Sequence, residues 1–386
     1  MAKYFKLPVK DKDVKGSING FLRDILEKGL VHALLVPQEV PSGDNVVQTL
    51  VSDPETLKRA DPVSPVMGVH SSRIISKMTK QEPNSQKVAV VLKPCEWRAL
   101  VELVKLKQAS LENMVVIGVD CPGTFPIKQY KKMMEEGASP DKELLKLIEG
   151  VGQGEGQEAN LRTACQVCEH FTPHGTDITI GLFGMDLGNE ILIAANTEEG
   201  ERILNGLKLE CNEDIKEKSP GGKNRREESI AKLMEQRIKK RDELFAEVQK
   251  EIGSPDKLLA FFSTCIKCHN CMGACPICYC RECFFESPTF EFEADRYLKW
   301  ADRKGAIRMP TDTLLFHLTR MNHMLLSCVG CGICEEACPN DIPLFKVFRM
   351  FGHTVQQIFK YIPGKDLKEE LPLSTFKEDE LKDVGE

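Results

Sequence analysis

Hydrophobic positions in the first 125 residues alternate between two periodicities. Residues 87–92 (KVAVVL) and 114–119 (MVVIGV) are continuous apolar runs with the length of a buried strand. Residues 96–107, between them, repeat apolar positions with helical spacing. A strand, a helix and a second strand joined by short connections form a βαβ unit, so the pattern predicts a parallel or mixed sheet covered by helices.

Other segments show the same two patterns. Before this unit, residues 20–28 have helical spacing and residues 30–36 form a short apolar run. After it, the pattern predicts a charged helical stretch, two strands, a long charged helix and an apolar helix. These elements lie, in chain order, at residues 128–149, 177–182, 190–196, 227–250 and 313–326.

We predict an α+β fold in four parts. The N-terminal part, residues 1–210, is an α/β domain, and residues 211–252 are a charged helical linker. Residues 253–362 form a cysteine-rich domain, and residues 363–386 a polar tail. The length of 386 residues fits two or three such domains.

Composition narrows the class of protein. Hydrophobic residues make up 41% of the chain and the formal net charge is −6, so we expect a folded protein without the basic field that attracts nucleic acid. No apolar run reaches the roughly 18 residues that a membrane helix needs. The first residues lack the apolar core of a secretory signal. We therefore expect a cytoplasmic protein without a membrane span, in which grouped cysteines are metal ligands rather than disulfides.

Two cysteine runs near the C-terminal end carry the most specific signal. Eleven of the sixteen cysteines lie between Cys265 and Cys338, and eight of them form two Cys-x-x-Cys-x-x-Cys-x-x-x-Cys-Pro runs. In this spacing three thiolates wrap one 4Fe–4S cluster and the fourth crosses to the other cluster. We therefore assign one cluster to Cys265, Cys268, Cys271 and Cys338, and the other to Cys328, Cys331, Cys334 and Cys275. Zinc or buried free thiols are the alternatives, which two complete runs disfavour.

Three further cysteines follow the first run at once, in a spacing that differs from a cluster loop. Cys278, Cys280 and Cys283 are candidate ligands of another metal centre, either a cluster or zinc. Cys211 is an unassigned candidate for the fourth ligand. The alternative is that these thiols only pack beside the neighbouring cluster, because cysteine is often simply buried.

The remaining four cysteines are dispersed through the N-terminal part. Cys95 and Cys121 each follow a predicted buried strand, and Cys165 and Cys168 form a Cys-x-x-Cys pair. The carboxyl ends of parallel strands share one edge of a sheet, where ligands usually bind. These four thiols could close a tetrahedral set there. From the spacing alone, scattered structural thiols are an equal alternative.

Several segments around these cysteines resemble the coenzyme F420 hydrogenase/dehydrogenase beta-subunit family, over roughly residues 14–250. The cysteine-rich end is similar to its formate dehydrogenase branch. The matching segments are residues 93–96 (KPCE), 119–126 (VDCPGTFP), 164–171 (ACQVCEHF), 176–181 (TDITIG) and 197–201 (TEEGE).

The resemblance implies a flavin and a third cluster in the N-terminal domain. In that family one chain carries FAD beside a 4Fe–4S cluster, and the flavin exchanges a hydride with the deazaflavin coenzyme F420. By position, the cluster ligands would be Cys95, Cys121, Cys165 and Cys168. The corresponding flavin contacts would be Gly16, Ser17, Asn19, Gly20, Ser64 and Pro65. The sequence departs from the family at the first of these segments, where the expected Gly-Gly pair is Gly16-Ser17. An ordinary helix start with Ser17 as N-cap is the alternative there.

We therefore predict an iron–sulfur flavoprotein, the electron-transfer subunit of an oxidoreductase complex. The flavin would convert hydride exchange into single electrons, which the clusters carry to a partner. By resemblance, the partner would be a molybdenum or tungsten formate dehydrogenase catalytic subunit, a hydrogenase or a heterodisulfide-reductase-like complex. The alternative is a non-catalytic iron–sulfur relay without its own coenzyme reaction.

Overall fold

The computed structural model describes residues 3–151, 160–207, 209 and 225–374. Its strands are β1 Lys3–Pro8, β2 Ala33–Glu39, β3 Val46–Val51, β4 Val88–Leu92, β5 Met114–Val119, β6 Ile178–Gly181 and β7 Glu190–Ala195. Its helices are α1 Val14–Glu27, α2 Ser71–Thr79, α3 Pro94–Lys105, α4 Ile127–Glu135, α5 Pro140–Glu149, α6 Thr163–Gln166, α7 Glu198–Leu207, α8 Arg225–Glu251, α9 Pro255–Phe261, α10 Asn270–Ala274, α11 Ala294–Lys304, α12 Thr313–Met324, α13 Ile333–Glu336 and α14 Leu344–Ile358.

The seven strands form one mixed sheet in the order β1-β7-β6-β5-β4-β2-β3. The four central strands β2, β4, β5 and β6 are parallel to one another, whereas β1, β7 and β3 join antiparallel at the edges. The predicted parallel or mixed sheet is confirmed. Since all four carboxyl ends of the parallel strands lie at one edge, that edge is where the segments after β4 and β5 meet.

Both faces of the sheet are buried, because the central strands alternate their side chains between two cores. Leu34, Val91 and Ile117 pack on one face with α1 and α7. Leu35 and Val90 pack on the other face against α2 and α3. A parallel sheet that is covered on both faces accounts for the near-continuous apolar runs in the sequence.

Helix α8 belongs to both halves of the molecule. Its Leu233 lies in the core beneath the sheet, and its Leu244 and Val248 lie in the core of the cysteine-rich half. The predicted long charged helix is therefore present, but one side of it is buried, and Arg237 on that side is 1% exposed. The predicted domain boundaries stay a prediction, and α8, which ends at Glu251, lies within the predicted linker of residues 211–252.

The segment after α14 docks on α3. The buried Glu102 carboxylate accepts hydrogen bonds from the Tyr361 hydroxyl at 2.5 Å and from the Gly364 N–H at 2.7 Å. Arg98 donates to the carbonyls of Pro363 and Val329. The first residues of the predicted polar tail are thus packed against the N-terminal half, and residues 375–386 lie outside the described part.

Two local differences from the sequence pattern have simple causes. The predicted stretch at 128–149 is two helices, because Gly137 takes a left-handed φ of 72° and Pro140 starts a new first turn. The helix predicted at 20–28 already begins at Val14, where the Asp13 carboxylate caps its first turn. Among the described residues, no helix is long and apolar enough to cross a bilayer.

Candidate metal centres

The four dispersed cysteines line one cavity. Cys95 is the second residue of α3, directly beyond β4, and Cys121 follows the end of β5. Cys165 and Cys168 come from α6 and the turn after it. The fold therefore brings together four thiols that are up to 73 residues apart in the sequence.

One glycine permits this convergence. Gly123 has a φ of +134°, and a Cβ added to it would lie 3.1 Å from the Cβ of Cys165 and 2.7 Å from a methyl group of Leu161. The segment after β5 thus passes so close to α6 that only a residue without a side chain fits there.

The spacing of the sulfurs fits a polynuclear cluster better than one ion. A tetrahedral zinc with Zn–S bonds of about 2.3 Å needs sulfurs about 3.8 Å apart. Among the described residues, no three cysteine sulfurs lie within 4.8 Å of one another. Thiolates around a 4Fe–4S cage bind four different irons and stand farther apart. The cavity and the donor set therefore fit such a cluster.

Burial dominates the electrostatics of this cavity. It raises the pKa of Cys95 and of Cys168, and it raises the pKa of Cys121 to about 11. Burial acts in the same direction on Cys165, yet the pKa of Cys165 is lowered because the Arg162 guanidinium and the Thr124 hydroxyl stabilise its thiolate. Cluster binding would therefore release protons from at least three of the four thiols.

One pocket is lined by cysteines of both ferredoxin-like runs, and the crossed ligand assignment stays a prediction. Cys265, Cys268 and Cys271 line this pocket together with Cys338 from the second run. The two loops repeat one backbone conformation, since His269 and Gly332, directly before α10 and α13, are both left-handed with φ of 61° and 71°. In the first loop a histidine holds the conformation that glycine adopts in the second.

The second set also mixes the two runs. Burial, and after it the charge of Cys275, raises the pKa of Cys331 to about 12. Burial likewise raises the pKa of Cys334, and Cys275, Cys331 and Cys328 add to that shift. These shifts indicate that Cys275 lies near Cys331 and Cys334 of the second run.

Two buried side chains of α12, the helix inserted between the runs, touch the first set. The Arg320 Nη1 lies 3.0 Å from the Cys271 sulfur, and the His317 Nε2 lies 3.4 Å from the Cys265 sulfur. Neither residue is among the site residues predicted from the sequence. A signal existed, because Arg320 falls on the buried, otherwise mainly apolar stripe of α12, where a charged residue needs a reason.

The third cysteine group does not close around one point. Cys280 is exposed, the Cys283 sulfur lies 3.5 Å from the Met272 sulfur, and burial raises the pKa of Cys278 to about 12. The three sulfurs are not mutually within 4.8 Å, so a single zinc ion would require the loop to move. Cys211, the candidate fourth ligand, lies outside the described residues.

The predicted flavin contacts of the first segment lie within α1 and not in an open loop. The N–H of Gly16 already donates to the Asp13 carboxylate at 2.8 Å, and the Ser17 hydroxyl donates to the Asp13 carbonyl. Asp13, not Ser17, is the N-cap. Gly20 is exposed, with no atom within 4 Å of an added Cβ.

A carboxylate at this helix end opposes a phosphate, because both are anions competing for the same N–H groups. The described residues at the start of α1 therefore do not fit the phosphate cradle that the resemblance implies.

The other flavin contacts lie closer to the dispersed cysteines. Asn19 donates to the Ala60 carbonyl at 2.7 Å, which ties α1 to the segment that carries Ser64 and Pro65. The Ser64 hydroxyl is buried and bonds to Val66, and the Pro65 carbonyl accepts from the Phe125 N–H. This segment continues to Met67, which lines the cavity of the dispersed cysteines.

The cavity of the dispersed cysteines also reaches the second ferredoxin-like loop. Gly330 and Cys331 form part of its wall. A Cβ added to Gly332 would lie 2.4 Å from the Cβ of Ala164, so the two backbones are in close contact. The N-terminal cysteine set and the second run therefore face one another across this junction.

Comparisons with known proteins agree with this architecture. Residues 85–220 match the family model for the C-terminal part of the coenzyme F420 hydrogenase/dehydrogenase beta chain. Residues 262–342 match the 4Fe-4S dicluster domain. The first match spans all four dispersed cysteines, and the second spans both ferredoxin-like runs.

Two curated relatives cover nearly the whole chain. The F420-dependent formate dehydrogenase subunit beta of Methanocaldococcus jannaschii is 27% identical over 371 residues, which are 91% of this chain and 92% of that protein. The F420-dependent formate dehydrogenase 1 subunit beta of Methanococcus maripaludis is 27% identical over 376 residues, 91% of each chain.

A chain from a solved structure of the F420-reducing [NiFe] hydrogenase complex of Methanosarcina barkeri superposes with a TM-score of 0.46. Its identity is 16%, and the superposition covers 66% of this chain and 94% of that one.

Proposed function

Because the chain belongs to the coenzyme F420 hydrogenase/dehydrogenase beta-subunit family, we propose that it is the electron-transfer subunit of an F420-linked oxidoreductase, with three 4Fe–4S clusters in a row. One observation carries the proposal: the cavity lined by Cys95, Cys121, Cys165 and Cys168 also contains Cys331 of the second ferredoxin-like run. The dispersed site thus adjoins one end of a two-cluster module.

The proposed ligands follow from the three groupings. The dispersed cluster is held by Cys95, Cys121, Cys165 and Cys168. The middle cluster is held by Cys275, Cys328, Cys331 and Cys334, and the far cluster by Cys265, Cys268, Cys271 and Cys338. Cys268 is exposed, which supports the far cluster as the point where electrons leave or enter the chain.

The coenzyme reaction is the finer part of the proposal, and the names of the two relatives support it. A bound FAD would supply the exchange between a hydride and single electrons. The segment from Ser64 to Met67 lies beside the dispersed cluster site and is the proposed neighbour of such a group. The start of α1, capped by Asp13, does not hold its phosphates, so we derive no step through the flavin.

A relay without its own coenzyme reaction is the second candidate function. The Asp13 carboxylate favours it, because it occupies the helix end at which the family resemblance implies a flavin contact. Such a protein would pass electrons between two redox partners through the same three clusters.

The proposed partner is a molybdenum or tungsten formate dehydrogenase catalytic subunit; a hydrogenase or a heterodisulfide-reductase-like complex is the other proposed class. Oxidation of one formate to carbon dioxide releases two electrons and a proton. Reduction of one F420 takes up two electrons and two protons, so one formate balances one coenzyme with one proton taken from solvent.

Anaerobic purification tests these proposals with three measurements: iron content, extracted flavin, and bleaching of bound flavin by reduced F420. We expect about twelve irons per chain, and about eight in Cys121→Ser. Cys283→Ser is the matched control, and it should keep about twelve if only three clusters are present. A wild-type count near sixteen that drops in Cys283→Ser would place a further cluster at Cys278, Cys280 and Cys283.

Each outcome separates the candidates. Bound FAD that reduced F420 bleaches supports the converter function. Absence of flavin from a chain that contains about twelve irons contradicts it and leaves the relay function. A count of about eight irons would contradict the dispersed cluster and the three-cluster relay.

A further inference from the structure

Two buried arginines occupy the two junctions between the three proposed cluster sites. Arg162 is 4% exposed and lines the cavity shared by the dispersed cysteines and Cys331. Arg320 is 3% exposed and lies on α12, between the two ferredoxin-like sets. Neither residue belongs to the ligand sets above.

Arg320 contacts sulfur on both sides. Its Nη1 lies 3.0 Å from the Cys271 sulfur of the far site. Its Nη2 lies 3.9 Å from the Met324 sulfur, which is itself 4.0 Å from the Cys275 sulfur of the middle site. The guanidinium is enclosed by the rings of Phe316 and Phe348, at 5.5 and 4.9 Å from their centroids.

Arg162 has the equivalent position at the other junction. Its Nη2 lies 3.7 Å from the Cys165 sulfur, and its Nε donates to the Thr124 hydroxyl at 2.8 Å. That hydroxyl is 3.5 Å from the same sulfur. Across the cavity lies Cys331 of the middle site.

Neither guanidinium forms a close ion pair with a carboxylate among the described residues, although the more distant Glu336 acts on the charge of Arg162. In the described part of the chain, no carboxylate lies within 4.0 Å of Arg162 or Arg320. The Nη1 of Arg162 and the Nε of Arg320 are buried without a hydrogen-bond partner there. A buried charge is unstable without an anionic partner, and the sulfurs next to each arginine, with a cluster bound to them, would supply one. Thiolate-ligated 4Fe–4S clusters are anionic, and more so when reduced.

We propose that Arg162 and Arg320 are electrostatic bridges, each shared by two neighbouring clusters, and that they make it easier for adjacent clusters to be reduced together. The inference rests on the three-cluster relay of the proposed function. A fixed cation between two anions favours the reduced state of both and offsets their repulsion in a medium of low dielectric constant. Two electrons from one hydride could then be held together on two neighbouring clusters.

The test is an EPR-monitored redox titration of the iron-loaded full chain with dithionite, without coenzyme or partner. Arg320→Met should lower the midpoint potentials of the far and middle clusters and leave that of the dispersed cluster. Arg162→Met should lower those of the dispersed and middle clusters and leave that of the far cluster. We expect at least a tenfold change in each affected reduction equilibrium, equal to 59 mV for one electron. Cys121→Ser and Cys338→Ser assign the signals.

Two further variants separate charge from packing. Arg→Lys at either position keeps the charge. The reduction equilibrium constants of the affected clusters should then stay within about threefold of wild type. Arg73→Met is the matched control, because the Arg73 Nη1 donates to the Cys275 carbonyl at 3.1 Å but touches no sulfur and is only half-buried. Because solvent screens its charge, Arg73→Met should change each reduction equilibrium constant by less than about threefold.

Unchanged potentials in both Met variants, or equal shifts of all three clusters, would overturn the proposal. If a Met variant loses iron, Arg→Gln is titrated in its place with the same expected shift. If Arg→Met and Arg→Gln both lose iron but Arg→Lys does not, the positive charge is required, which supports the proposal. If all three variants lose iron, the arginine acts through packing, which contradicts it. A chain without flavin, or without F420 reactivity, fails the proposed coenzyme function yet still gives this titration.

Discussion

The molecule gathers cysteines in two different ways. In the cysteine-rich half, two short loops each supply three neighbouring thiols, and only one thiol per site comes from the other loop. In the N-terminal half, the set comes from three separate places, after β4, after β5 and around α6. The sheet that holds this set has two apolar cores of its own.

From this difference we expect the two ferredoxin-like sites to fold with their metal and the dispersed site to form before metal binds. The sheet edge fixes Cys95 and Cys121 through backbone pairing of β4 with β5. The loops around the other two sites contain left-handed residues and short helices, and partly buried cysteines form much of the margin of their core. Where few apolar contacts hold a loop, metal binding contributes folding free energy directly.

The strongest test removes the metal from both halves at once. With an oxidant and a chelator under anaerobic conditions, we expect residues 262–342 to lose protection from hydrogen exchange almost completely. Peptides from β4 and β5 should stay protected, because their core contains no metal ligand. Equal loss of protection in both halves would show that the dispersed site is not prebuilt. Apoprotein reconstituted with iron and sulfide is the control.

Paired cysteine substitutions test which thiols ligate the same cluster. Cys338→Ser should remove about four irons, and Cys265→Ser combined with it should remove no more, since both ligate the far cluster. Cys334→Ser combined with Cys338→Ser should remove about eight irons, although the two residues are neighbours in the sequence. Iron analysis and the number of EPR spins measure this. The opposite ranking would return each fourth cysteine to its own run.

Gly332 tests the contact between the two halves. Gly332→Ala places a methyl group 2.4 Å from the Cβ of Ala164 at a φ of +71°. The left-handed strain costs about 1–2 kcal/mol, and the clash adds about 1–3 kcal/mol. Gly305→Ala is the matched control, with a φ of +76° and no atom within 4 Å. We expect thermal unfolding to separate the two variants, and equal losses would mean that the junction yields easily.

Tyr361 tests the weaker attachment of the C-terminal segment to α3. Tyr361→Phe removes the hydrogen bond to the buried Glu102 carboxylate and should cost about 1.5–3 kcal/mol of unfolding free energy. Tyr279→Phe, whose side chain is exposed, should change that free energy by less than about 0.5 kcal/mol. Denaturant unfolding of the iron-loaded protein measures both. A negligible loss in Tyr361→Phe would show that this segment is not part of the cooperative unit.

The sequence was informative wherever one physical signal acted alone. Buried parallel strands are continuous apolar runs, so β4 and β5 were predicted nearly to the residue. The cysteine runs carry their own spacing, and the crossed grouping that follows from it stays a prediction. The role of Asp13 was not predicted, because the choice between Asp13 and Ser17 as N-cap depends on how the chain enters α1 from β1.

The two bridging arginines show which kind of residue cannot be identified from the sequence. Arg320 carries a detectable signal, a charge in an apolar stripe. Arg162 carries none, because its neighbours Thr124 and Cys331 come from distant segments that only the fold brings to it. A residue whose role lies between two sites is invisible to a reading that considers each motif by itself.

The proposed exchange of Cys275 and Cys338 between the two runs would have a mechanical consequence. With both clusters bound, the segments around residues 265–275 and 328–338 would be cross-linked twice through iron–sulfur clusters, in addition to their connection through the backbone. A protease that cuts the exposed stretch near Leu298 or Met309 would sever the backbone without parting the pieces. The nicked protein would migrate as one body on a native gel and as two under denaturing, iron-free conditions.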